Sequence, residues 1–87
     1  MIVINIIWLS MIKKDYILTN HVKERMKERG ITEEEIEEVL KNPEYSYPGA
    51  KGEKNQVKTI NGKKIRVVYK ERLRRKIIIT VLLMDWQ

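Results

Sequence analysis

Cysteine is absent from this chain, histidine occurs once, and glycine and proline number four and two. The first absence excludes disulfides, a thiolate zinc site and a cysteine nucleophile, so 87 residues must be held by packing around one core. One histidine leaves carboxylate-rich ligation as the only route to a metal. The acidic run Glu33-Glu34-Glu35-Glu37-Glu38 is accounted for by helix N-terminal and solvent-face charge, so neither a metal nor a cofactor is expected. The few glycines form neither a P-loop nor a dinucleotide fingerprint, which argues against ATP-driven and nicotinamide chemistry. A long hydrophobic run is also missing: residues 1–12 are apolar but too short to span a bilayer. Lys13 and Lys14 follow that run, the reverse of a secretory signal. The expectation is a cytoplasmic protein with no membrane partner. Residues 1–14 then form an apolar extension, serving as an added strand, a partner-facing tail or a stretch upstream of a start near Met11, and residues 15–87 form one domain.

What is abundant is positive charge. Eighteen Lys and Arg against twelve Asp and Glu give +6, which favours polyanionic partners. The excess is not uniform. Residues 15–45 carry nine acids and five bases, net −4, whereas residues 51–76 carry eleven bases and two acids, net +9. A clustered field attracts phosphates where a dispersed one mainly aids solubility.

The local signals predict an α+β domain with two N-terminal helices packed on a small, mainly antiparallel sheet. Thr19 and Asn20 offer N-cap chemistry for a helix through Arg29, with Val22 and Met26 as its buried stripe and Gly30 as its left-handed stop. Thr32 and Glu35 have capping-box spacing, Ile31 and Ile36 can staple it, and Val39 and Leu40 extend the apolar face up to Asn42-Pro43. The Gly/Pro-bearing stretch from Asn42 to Gly52 reads as the break between helices and strands. Beyond it, Asn61-Gly62 marks a two-residue hairpin. Alternation puts Ile65, Val67 and Tyr69 on a core face and Lys64, Arg66, Val68 and Lys70 on the other. Residues 76–86, apolar on both faces around Ile77 to Leu83, read as a central covered strand.

Two groups of residues could carry chemistry. His21, Arg25 and Arg29 recur at intervals of four and share one helical stripe, where two guanidiniums could grip a phosphate and an imidazole could move a proton. The competing reading is ordinary: a histidine that caps or packs at a helix start, and helix arginines paired with Glu24, Glu28 or the second helix. The second group is basic, with Lys64, Arg66, Lys70, Arg72, Arg74 and Arg75 flanked by Lys63 and Lys76. Edge protection by lysine explains some of these. It does not explain three arginines bunched at one turn, which points to phosphate contact. Tyr45 and Tyr47 beside Lys51 and Lys54 either stack bases from a loop or anchor that loop. Tyr69 and Thr80 have hydroxyls that join a site only if the helix stripe faces them.

The run from Leu18 to Thr32, with His21-x-x-x-Arg25-Met26-x-x-Arg29-Gly30-Ile31 at its centre, is followed by Glu35-Ile36, Val39-Leu40 and Asn42-Pro43. It resembles a family of small prokaryotic domains of unassigned function that is distantly related to RelE/ParE-like toxins and the barnase-like ribonuclease fold. The strand Ile77 to Val81 resembles that family's closing strand. The resemblance covers about residues 15–84 and implies a RelE-like arrangement. It makes His21, Arg25 and Arg29 the first candidates for an active or phosphate-binding site, with Thr80 a weaker one. The leading expectation is a metal-independent endoribonuclease of toxin type, with His21 as general base and the arginines stabilising charge on the attacked phosphate. The alternatives are a non-catalytic nucleic-acid-binding module, for RNA or DNA, and a module that binds an acidic antitoxin-like protein; RNA is the expected partner. Homodimerisation through the N-terminal extension is a further expectation.

Overall fold

A computed structural model describes residues 15–84. The expected extension, residues 1–14, and the homodimer contact assigned to it lie outside the described residues. Strand β1 (Tyr16–Leu18) leads into helix α1 (Asn20–Arg29), and α2 (Glu33–Lys41) follows. Strands β2 (Tyr45–Pro48), β3 (Lys54–Ile60), β4 (Lys63–Arg72) and β5 (Arg75–Leu83) complete one five-stranded sheet of order β1-β5-β4-β3-β2.

The helix ends follow their local chemistry. The Thr19 hydroxyl accepts from the Val22 amide at 3.2 Å, and Gly30 closes α1 at φ 66°. Thr32 and Glu35 form the reciprocal capping box of α2, and Ile31 and Ile36 beside it are buried. Asn61 and Gly62, at φ 51° and 81°, make the β3–β4 turn, because a two-residue turn needs positive φ at both central positions. On one side of the sheet Ile65, Val67, Tyr69, Ile78 and Val81 meet Val22 of α1 and Ile36, Val39 and Leu40 of α2. Each fully buried aliphatic side chain in such a cluster stabilises by roughly 1.5–3 kcal/mol.

The architecture corrects the expected one. Two N-terminal helices on a small, mainly antiparallel, RelE-like sheet are not what forms: the helices are short, the sheet is mixed, and strands make up 47% of the described residues. A strand precedes the helices, since β1 pairs in parallel with β5 through Tyr16↔Lys76, Ile17↔Ile77 and Leu18↔Ile78. Three residues are too few to show a period in sequence, and a parallel pair needs a long crossover, here the whole of α1 to β4. The Asn42–Gly52 break also contains a strand. β2 pairs with β3 from Tyr45↔Val57 to Pro48↔Lys54, although every residue of β2 is exposed. An edge strand without a buried residue carries no apolar alternation to read. β5 is flanked by β1 only as far as Ile78, so it is not covered along its whole length, and Ile79 and Leu83 are exposed. No described helix is long and apolar enough to cross a membrane.

Candidate nucleic-acid interface

A strand shows alternate side chains to opposite sides, so once Ile65, Val67 and Tyr69 face the helices, Lys64, Arg66, Val68, Lys70 and Arg72 take the other side. Neither described helix covers that side. Register extends it across the sheet: Arg66 lies opposite Val57, which lies opposite Tyr45, while Val68 lies opposite Asn55, which lies opposite Tyr47. On β5, Thr80 pairs with Val68 and Arg75 with Arg72, placing both on this same side.

Tyr45 and Tyr47 stack on each other with ring centroids 6.2 Å apart and planes 20° from parallel, and they are 43% and 37% exposed. The Lys64 ammonium lies 5.6 Å from the Tyr45 ring centroid, within cation–π range. Arg66 donates from Nη1 to the Tyr47 hydroxyl at 3.1 Å, while its Nε is buried without a hydrogen-bond partner. Together these contacts fix two aromatic rings of the edge strand β2 and two cations of the central strand β4 on the sheet face that no described helix covers.

Charge pairing separates this face from the helix side. Glu35 bonds Lys63, Glu38 bonds Lys58, Glu71 bonds Lys54, and Asp15 meets Lys76 at 3.7 Å. Burial works against the ionised Glu35 carboxyl, but bonds from Lys63 and from Thr32 outweigh it and hold its pKa below the usual glutamate value. Lys64, Arg66, Lys70, Arg72, Arg74 and Arg75, by contrast, form no ion pair among the described residues. Glu53 is close enough for Lys70 to help hold its carboxyl below the usual glutamate value, but most acids among the described residues lie in α1 and α2, on the far side of the sheet, so the six cations leave this face with a net positive field.

The His/Arg stripe is placed elsewhere. α1 packs over β5 on the helix side, with Val22 buried and His21 exposed in its first turn. Arg25 bonds Glu28 at 2.8 Å on the helix surface. Arg29 donates from Nη1 to the backbone carbonyl of Val81 at 3.2 Å, in the part of β5 that runs past β1. Thr80 stands on the opposite side, with the cations, so His21 and Thr80 are separated by the sheet itself. The fold gathers Lys64, Arg66, Lys70, Arg72 and Arg75 on one face with Thr80, and Arg74 at its end; it does not bring His21, Arg25 or Arg29 to them.

A hollow of about 370 Å³ lies near β2 and is lined by Ser46, Tyr47, Pro48, Lys54, Gln56 and Tyr69. Its polar side chains serve the fold. Gln56 donates to the Val39 and Leu40 carbonyls at 3.0 Å each, closing the end of α2, and accepts from the Tyr69 hydroxyl. Burial raises the pKa of that phenol, so it stays a protonated donor. Lys54 is paired with Glu71. Sequence reasoning placed Tyr69 as a possible site hydroxyl and overlooked Gln56; a polar residue in a strand next to Val57 was the available signal.

Residues 18–82 match the family described as Domain of unknown function (DUF4258), and the chain belongs to that family. No curated protein and no solved structure matches the chain.

Proposed function

We propose that this member of the family is a module that binds single-stranded nucleic acid, RNA above all, along the sheet face that no described helix covers. The carrying observation is the partition of charge: six cations that form no ion pair among the described residues share that face or its end with two exposed, stacked tyrosines, while the other sheet cations are paired with acids on the helix side. Phosphates supply the counter-charge and unpaired bases supply flat apolar surface for the rings. Along β4 the residues Lys64, Arg66, Lys70 and Arg72 fall on one line, with neighbouring same-side positions about 6.6 Å apart, so an extended backbone can be followed by successive cations.

Toxin-type ribonuclease chemistry and kinship with RelE/ParE-like toxins rest on the His21–Arg25–Arg29 run. They require the imidazole and the phosphate grip to work together. With Arg25 held by Glu28, Arg29 on a β5 carbonyl and the unpaired cations across the sheet, binding without cleavage is the reading the geometry favours. An acidic antitoxin-like chain would compete for the same field.

Fluorescence anisotropy of a labelled unstructured RNA between 50 and 300 mM salt tests the reading. If all six cations meet phosphates, log K falls with log salt at a slope of roughly −4. Alanine at Arg72, Arg74 and Arg75 should reduce that slope by about 2, and Tyr45→Ala should weaken binding by roughly 1–3 kcal/mol. Substrate should be recovered intact after long incubation in EDTA. Salt-independent association, or none, defeats the proposal; EDTA-resistant cleavage lost in His21→Ala restores the ribonuclease reading.

A further inference from the structure

The two-residue turns at β3–β4 and β4–β5 use the same backbone with opposite economy. At β3–β4 positive φ falls on Asn61 and Gly62; at β4–β5 it falls on Leu73 and Arg74, at 51° and 65°. Left-handed backbone suits Gly and Asn and strains a residue with a bulky side chain. Arg72 also faces Arg75 directly across the ladder, a like-charge pair that works against the hairpin. Leu73 is 97% exposed, so its side chain contributes nothing to the core that would offset these costs. An apolar residue on a strained turn, ringed by three arginines, is unfavourable for the free fold and favourable for a surface that is both anionic and stacked.

The row Lys64, Arg66, Lys70, Arg72 runs along one side of β4 straight to this tip. That continuity makes a nucleic acid the partner that fits. Resting on the binding reading above, we propose that Leu73 is a wedge that packs into a base step where a stacked stem meets the single strand lying along β4, while Arg72, Arg74 and Arg75 hold the flanking phosphates. Apolar side chains inserted between bases unstack them, and the surrounding cations offset that cost through phosphate contact. The preferred ligand is therefore RNA with a stem next to a single-stranded segment.

The test uses two RNAs of equal length, one unstructured and one a stem–loop with 2-aminopurine at the junction, against the full chain and its Leu73→Ser and Leu73→Met variants. Circular dichroism checks that all three are equally folded. Wild type and Leu73→Met should raise 2-aminopurine fluorescence several-fold. Leu73→Ser should bind the unstructured RNA with unchanged affinity and salt slope, yet bind the stem–loop about tenfold more weakly without the fluorescence rise. An equal rise with Leu73→Ser overturns the wedge and leaves the binding reading standing. Failure of wild type to bind either RNA removes the binding reading first, and the wedge with it. Leu73-dependent capture of a Glu-rich peptide, with both RNAs bound equally by wild type and Leu73→Ser, reassigns the tip to a protein partner.

Discussion

Replacing Gln56 with methionine keeps the length of the side chain and removes every hydrogen bond it makes. Gln56 and Tyr69 are 7% and 5% exposed, so water does not readily replace the lost partners. Three bonds disappear: two from Nε2 to the Val39 and Leu40 carbonyls, and one from the Tyr69 hydroxyl to Oε1. A buried group left without its partner costs about 1–3 kcal/mol, partly offset by the apolar methionine, so the variant should be less stable by roughly 3 kcal/mol. That is a large fraction of the total for a domain of this size and should lower the melting temperature by about 15 °C. Tyr69→Phe removes only the shared bond and should cost about 1 kcal/mol. Because that bond is counted in both single variants, the double variant should be less destabilised than their sum by about 1 kcal/mol. Urea denaturation followed by circular dichroism measures all three, with unchanged m-values as the sign of two-state unfolding. RNA affinity at a temperature where all are folded should not change, since the network lies on the helix side. A Gln56→Met loss below about 0.5 kcal/mol, or strict additivity, would refute the claim that one glutamine ties α2 to the sheet.

Arg74→Gly relieves positive φ at the β4–β5 turn and should stabilise the domain by about 1 kcal/mol in the same denaturation assay while weakening RNA binding, a separation of fold and function at one residue. Arg29→Ala should accelerate amide hydrogen exchange in the part of β5 past Ile78, where its bond to the Val81 carbonyl is lost, and leave RNA affinity as it was; a large loss of affinity would return Arg29 to the binding site. Glu35 has a depressed pKa in the folded state, so its contribution is fully present above the ordinary glutamate pKa and disappears as pH falls through the lower folded value. Melting temperatures measured from pH 7 down to pH 3 should therefore fall less steeply for Glu35→Gln, which starts from a lower stability because its capping box and its bond to Lys63 are weakened.

Local signals with a single cause were readable in the chain. Thr19, Thr32 and Glu35 cap because their oxygens reach nearby amides, Gly30 stops α1 because it tolerates φ 66°, and the alternation of β4 follows from the pleat. β1 and β2 escaped for different reasons: three residues held by Lys76 to Ile78 depend on a partner far away in sequence, whereas β2, held by the nearby Lys54 to Val57, has four exposed residues and no buried alternation to read. The separation of His21 from the cations was, however, implicit in β4 alone. Helices with Val22, Ile36 and Val39 on their apolar faces must cover Ile65, Val67 and Tyr69, and the pleat then forces Lys64, Arg66 and Lys70 to the other side. Placing a stripe of α1 in one cleft with those lysines and arginine would require helix and cations to share a face that the core already occupies. Leu73 could not be singled out in the same way, because a leucine among arginines becomes informative only once its turn is known to need residues that leucine replaces at a cost. The proposed binding reading therefore rests less on the lone histidine than on the sheet face that the described helices leave open: cations outside the ion pairs, two stacked rings and an exposed apolar tip.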